Sequence, residues 1–205
     1  MNRLAHWRRG ALALLAFGLM VVLTGCVVSS KSALVPVDEA VELLPANLDF
    51  VTYKEDEPGK FTRSDDQPGG LSLVPATRTY VDAAGEITAY FVPRDDGTYL
   101  ISVLSKGSSG EGVMYGVARY KDGILELRMI FSGKPDEEMA AAGAAIPDGA
   151  TIEGGGIVVT THAGLETIID LVATGALATT PLIAWAGDAP APDAIFGDGD
   201  WYRAE

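Results

Sequence analysis

The chain has 205 residues, 15 Lys and Arg against 28 Asp and Glu for a formal charge of −13, 48% hydrophobic residues and a single Cys. That length suits one globular domain, and one Cys gives no means of building an intrachain disulfide framework or a cysteine metal cluster. Phosphate contacts draw their affinity from clustered Lys and Arg, so a chain this acidic is not expected to bind nucleic acid.

The first segment carries Arg3, Arg8 and Arg9 ahead of an unbroken apolar run over residues 11–23. A basic flank, a short apolar core and small residues at its end describe an export signal. The run falls short of the roughly 20 apolar residues that a spanning helix needs, and Thr24, Gly25 and Cys26 close it.

Leu23-Thr24-Gly25-Cys26 resembles the lipobox of bacterial lipoproteins at all four positions. The resemblance implies that a signal peptidase cuts before Cys26 once its thiol carries a diacylglycerol, and that a third acyl chain such as palmitate joins the new N-terminus. Such chains bury methylenes at roughly 0.8 kcal/mol each, and two or three of them hold a protein at a membrane surface. A thioether also removes the lone thiol that would invite intermolecular pairing in an oxidising compartment. Val27 stands where an Asp would imply retention in the inner membrane. The resemblance therefore implies lipid anchoring at the periplasmic face of the outer membrane of a Gram-negative bacterium. Loss of residues 1–25 removes three Arg and no acid, which leaves 12 basic against 28 acidic residues, a charge of −16.

Residues 26–45 begin with a polar stretch and continue into a Pro-flanked piece, and they read as a tether that docks on the domain. Within them, residues 38–44 have the composition of a helical turn. Residues 46–176 read as a β-meander plus helix. Alternation at period two predicts strands over 48–53, 78–82, 86–92, 99–104, 113–121 and 124–131, with a short pairing near 60–63 inside a polar loop. Ala83-Ala84-Gly85, Asp95-Asp96-Gly97 and Asp122-Gly123 supply the turns, Asp-Gly being the strongest hairpin signal because primed turns need positive φ. In the last strand Leu125, Leu127, Met129 and Phe131 are expected to face inward, and Glu126 and Arg128 to face solvent. An Ala-rich run to residue 145 suits a helix with acids in its first turn. Strand character returns over 151–161, broken by Gly154-Gly155-Gly156, which reads as a bulge or a close backbone contact. Leu165, Ile168, Ile169 and Val172 then share one helical stripe, with Thr161 and Gly175 as caps. Residues 177–205 read as an irregular Pro, Gly and Asp-rich tail. The expected fold is mainly β: an antiparallel meander forming a curved sheet or partial barrel, with one C-terminal amphipathic helix packed on it.

Few residues offer chemistry. His162 is the sole histidine after residue 25, so any His-based triad or His-rich metal site must run through it. Its place at a helix start disfavours a charged imidazole and suits a capping or surface role. Gly107-Ser108-Ser109-Gly110-Glu111 lacks the last Gly of a nucleophile elbow, and no Gly-Lys-Ser/Thr follows the glycine triplet at 154–156. Acid pairs at Asp65-Asp66, Asp95-Asp96, Glu137-Glu138 and Asp198-Gly199-Asp200 read as solvated turns, and Asp193, Asp198 and Asp200 depart from the spacing of a calcium loop. Tyr80, Tyr90, Tyr99, Tyr115 and Tyr120 fall on strands, where packing is expected; lining a pocket, with Gly116 leaving room for a ligand, is the rival role.

The expected site residues are thus Cys26 for lipidation and Leu23, Thr24 and Gly25 as its recognition box, with no catalytic set, no cofactor and no metal. The membrane and a further envelope protein are the expected partners. The leading expectation is a non-enzymatic envelope lipoprotein. Its rivals are a lipocalin-like carrier of a small apolar molecule and a hydrolase built on two carboxylates about 5–10 Å apart.

Overall fold

Twelve strands and two helices account for most of the chain that the structure describes. A computed structural model covers residues 28–57, 60–63, 70–107, 110–121, 124–129, 134–177 and 180–186. The strands are β1 (Val28–Ser30), β2 (Asn47–Glu57), β3 (Lys60–Arg63), β4 (Gly70–Val74), β5 (Thr79–Asp82), β6 (Ile87–Pro93), β7 (Tyr99–Gly107), β8 (Gly110–Lys121), β9 (Ile124–Met129), β10 (Ala150–Glu153), β11 (Gly156–Val159) and β12 (Thr180–Ala186). The helices are α1 (Pro135–Ala141) and α2 (His162–Ala173).

All the strands join one curved sheet in the order β10-β11-β1-β8-β7-β6-β5-β4-β2-β12-β9, with β3 beside β2 and β9 returning to pair with β8. The run from β5 to β9 is the expected meander; β4 precedes it where the sequence pattern predicts no strand, and β12 slots between β2 and β9. The sheet is mixed, because β1 runs parallel to β11 while every other pair is antiparallel.

Strand β8 is the junction. Its residues Val113–Tyr115 pair with β1, whereas Val117–Lys121 pair with β9, so one strand serves two partners in succession. Gly116 marks the changeover. A Cβ there would lie 2.6 Å from the Arg128 carbonyl oxygen and 3.0 Å from Met129 Cγ. This glycine makes room for the backbone of β9 rather than for a ligand, the rival role that its sequence context offered. On the β1 side the sheet continues outward as a three-stranded wing, β1-β11-β10, so the whole is a curl, with β9 back against β8, that carries a wing.

The two faces of the sheet carry separate cores. Leu48, Tyr80, Phe91, Ile101, Ala118 and Leu125 fill the inside of the curl, joined by Leu44. Tyr80 and Phe91 meet edge to face with ring centroids 5.8 Å apart, the geometry that aromatic quadrupoles favour. On the other face, α2 lays Leu165, Ile168, Ile169 and Val172 over Val28, Val113, Tyr115, Val117, Ile157 and Val159. Each of those four helix residues is at most 1% exposed, as the i, i+3, i+4, i+7 stripe requires. The Thr161 hydroxyl caps the helix by accepting from the Gly164 N–H at 3.1 Å, and Gly175 ends it with φ +71°.

Several expectations are corrected. Residues 28–44 do more than dock as a tether: β1 is embedded between two strands, and Val35, Ala40 and Leu44 are buried. Helical character there is confined to one 3-10 turn, Val37–Glu39. Residues 180–186 are a central strand rather than irregular tail, and residues 187–205 lie outside the described residues. The glycines at 154–156 do not form a bulge but turn the chain between β10 and β11. Gly154 and Gly155 take φ +59° and +83° between paired Glu153 and Gly156, as a two-residue primed turn demands. In β9, Leu125 and Met129 are buried as expected, but Glu126 is only 4% exposed and its carboxylate lies 2.8 Å from the Arg128 guanidinium. A charge can leave water in this way when a partner two positions along the same strand face neutralises it. Phe131 lies outside the described residues.

Candidate functional site: the N-terminal strap and its tyrosine clasps

Residues 31–44 form a strap that leaves β1, crosses the outer core and ends inside the curl. Leu34 and Val35 pack with the α2 side of the sheet, whereas Leu43 and Leu44 pack with the inner core. Between these ends the Val41 N–H donates to the Phe91 carbonyl at 2.9 Å in an isolated antiparallel bridge.

Three strand tyrosines clasp this strap through their hydroxyls. Tyr115 Oη accepts from the Leu34 N–H at 2.9 Å and shares a 2.8 Å hydrogen bond with Ser30 Oγ. Tyr90 Oη donates to the Val35 carbonyl at 2.7 Å. Tyr80 holds both backbone groups of one residue, accepting from the Leu44 N–H at 2.8 Å and donating to the Leu44 carbonyl at 2.7 Å. Each tyrosine is at most 1% exposed, so its ring packs in a core while its hydroxyl satisfies backbone that no strand pairs. Burial raises the pKa of Tyr80 and of Tyr90, because a phenolate there would lose its hydration. The expected packing role of the strand tyrosines holds for these residues, but the hydroxyl contacts have no signal in the sequence, since the partners are main-chain groups of a distant segment. Fully buried Ser102 stands opposite both Tyr90 and Tyr115, a small side chain between two large ones in adjacent strands.

An open cleft of about 390 Å³ lies where the strap passes over the sheet, walled by Leu34, Val37, Thr79, Thr88, Tyr90 and Leu104. Val37 is 43% exposed at its rim. The surface there is mainly apolar, with threonine hydroxyls at one side.

A cluster of charge stands apart from the strap, where the turn after β6 meets α2. Arg94, 13% exposed, reaches Glu166 at 3.1 Å, Asp96 at 3.5 Å and Asp170. Burial alone would lower the Arg94 pKa, but the hydrogen bond it donates to Asp170 and the charges of Asp96 and Glu166 outweigh it and raise it. Asp96 also accepts from the Thr98 N–H and hydroxyl at 2.9 and 2.6 Å. Burial works against its charge, yet these bonds and Arg94 hold its carboxyl below the usual carboxylate range. His162 is exposed, 3.5 Å from Glu166, and does not enter a catalytic arrangement with any described serine or cysteine. The cluster joins a turn to a helix, and its carboxylates face a half-buried guanidinium rather than one another.

Cys26, Leu23, Thr24 and Gly25 lie outside the described residues, as do Ser108, Ser109, Asp65, Asp66, Asp193, Asp198 and Asp200. Glu137 pairs with Lys134 at 2.8 Å on the surface of α1. Among the described residues, no group of three or more His, Cys, Asp or Glu is placed to hold a metal ion. The chain matches no family model, no curated protein and no solved structure.

Proposed function

We propose that this chain is a bacterial lipoprotein, acylated at Cys26 and held at the periplasmic face of the outer membrane, which acts by contacting other envelope components rather than by catalysis. One observation carries the reading: Leu23-Thr24-Gly25-Cys26 closes an apolar run that follows Arg3, Arg8 and Arg9. The start of the fold supports it. β1 opens at Val28, two positions after the cysteine, so cleavage before Cys26 leaves every described strand in place. Among the described residues no helix is long and apolar enough to cross a membrane, and in this reading the acyl chains supply the attachment. The intact mass of protein taken from bacterial envelopes tests it: acyl mass on Cys26 with residues 1–25 absent is the expected result. A free thiol, or retained Met1, would overturn it.

The cleft under the strap favours a second reading, a carrier of a small apolar ligand. The inner face that a lipocalin-like carrier would use is packed instead, with Leu125 and Leu127 against Tyr80, Tyr99 and Tyr120. Ligand in this reading sits outside the curl, against Val37 and Leu104. Titration with a fluorescent fatty acid distinguishes the two readings, since carriage requires saturable binding that Leu104→Glu abolishes.

A further inference from the structure

We infer that the anchored domain has no standoff from the membrane: it lies directly against the phospholipid headgroups, with the β10–β11 turn at the lipid surface. This rests on the lipoprotein reading and concerns what that anchor does to the fold.

One residue, Val27, separates Cys26 from β1, and a fully extended chain gains about 3.3–3.6 Å per residue, so the Cα atoms of Cys26 and Val28 lie within about 7 Å. The polar headgroup zone of one leaflet is about 5–7 Å deep. An acylated Cys26 therefore brings Val28 to the outer boundary of the headgroups.

Val28 cannot slide away from that boundary by unzipping. It is 0% exposed and paired on both sides, to Tyr115 of β8 and Ile157 of β11. Two positions on, Ser30 is tied to the Tyr115 hydroxyl, which also holds Leu34. Freeing even three residues of extra tether would expose a core valine and break these bonds.

The pairing also says which side faces the lipid. β11 runs parallel to β1 with Ile157 beside Val28, so its preceding turn, Gly154-Gly155, lies at the end of the wing where β1 begins. Along β8, the edge beyond Tyr115 is taken by β9 from Arg128 backwards. The β10–β11 turn and the length of β8 from Val117 to Lys121 thus lie toward the same end of the sheet as the start of β1. That turn is exposed at Glu153 and Gly154.

Hydrogen exchange on the full-length protein tests this. The chain is expressed in a Gram-negative bacterium, purified from its envelope and reconstituted into vesicles of phosphatidylethanolamine and phosphatidylglycerol. Its intact mass is read first; a free thiol at Cys26 would refute the lipoprotein reading alone, and the thiol would then be coupled to a maleimide phospholipid before the same measurement. A second protein carries a Gly-Ser insertion of about fifteen residues between Val27 and Val28, enough to give a flexible reach of about 20 Å. In the native spacing, exchange at residues 153–156 is expected to slow several-fold on vesicles relative to the inserted form, while residues 83–86, in the turn at the opposite end of the strands, exchange alike in both. Equal exchange at 153–156 in the two proteins would overturn the inference, as would equal slowing at both ends.

Discussion

Tyr115 and Ser30 share a hydroxyl to hydroxyl hydrogen bond of 2.8 Å across 85 positions of sequence. Through it a β8 side chain fixes the point where β1 ends and the strap begins, and the same oxygen accepts the Leu34 N–H.

Tyr115→Phe keeps the ring in its core and removes only the oxygen. It leaves the Leu34 N–H without its partner, which is expected to cost about 1–3 kcal/mol. Urea unfolding should show a lower midpoint with unchanged slope, and amide exchange should rise first at Leu34. An unchanged midpoint would mean that apolar contacts alone dock the strap.

Gly116→Ala tests the junction on β8. A methyl group 2.6 Å from the Arg128 carbonyl forces β9 away from β8, an overpacking expected to cost about 1–3 kcal/mol or more. Gly85→Ala is a useful contrast: nothing lies within 4 Å of a Cβ there, so its cost comes from φ +70° alone. Circular dichroism melts that rank Gly85→Ala as the worse of the two would contradict the crowding at the junction.

Alkaline pH should loosen the strap. The folded pKa of Tyr80 and of Tyr90 is raised by burial, so their stabilising contribution is complete below about pH 10, the ordinary tyrosine value, and is lost as pH rises through the folded values. Stability measured in urea should therefore fall above pH 10, and the fall should be shallower in Tyr80→Phe, whose baseline stability is lower. A flat profile to pH 12 would contradict this (about one hundredfold past the ordinary tyrosine midpoint).

Acid pH acts elsewhere. Asp96 has a depressed pKa through Thr98 and Arg94, so its contribution is present above about pH 4 and lost as pH falls through the lower folded value. Arg94→Met removes the shared partner of Asp96, Glu166 and Asp170, all of them largely solvated, and is expected to cost about 1 kcal/mol. The low-pH limb of the stability profile should flatten in that variant; an unaltered limb would assign acid sensitivity to other carboxylates.

Local patterns carried most of the sheet. Period two located β5 through β9, and the stripe at Leu165, Ile168, Ile169 and Val172 located α2, because in each case one face of the element is buried against the rest. The same reasoning missed β1, since Val28-Ser29-Ser30 is too short and polar to show a period and takes its place from neighbours far along the chain. It missed β12, where Thr180 and Pro181 precede a continuous apolar run, the pattern of a strand covered on both faces and not of an alternating one. It turned Glu126 outward because alternation knows polarity, not partners, and Arg128 supplies the partner. The clasps were illegible for a related reason: a tyrosine hydroxyl that bonds backbone leaves no mark on the residue it bonds. The lipobox needed no fold to be read, as a short contiguous motif.

The position of β12 sets an order on how the molecule comes together. β2 borders β12 along Phe50–Lys54, and β9 borders it along Ile124–Met129, so neither is complete on that side until the chain has run past residue 180. A chain emerging from its N-terminus can form the β5–β8 hairpins as they appear, yet must keep two apolar strand edges unpaired until nearly all of it is out. Those waiting edges are sites where another chain can add. Chains cut short before Thr180 should thus form hairpins, fail to complete the sheet and aggregate, while loss of residues after Ala186 leaves every described strand with its partners.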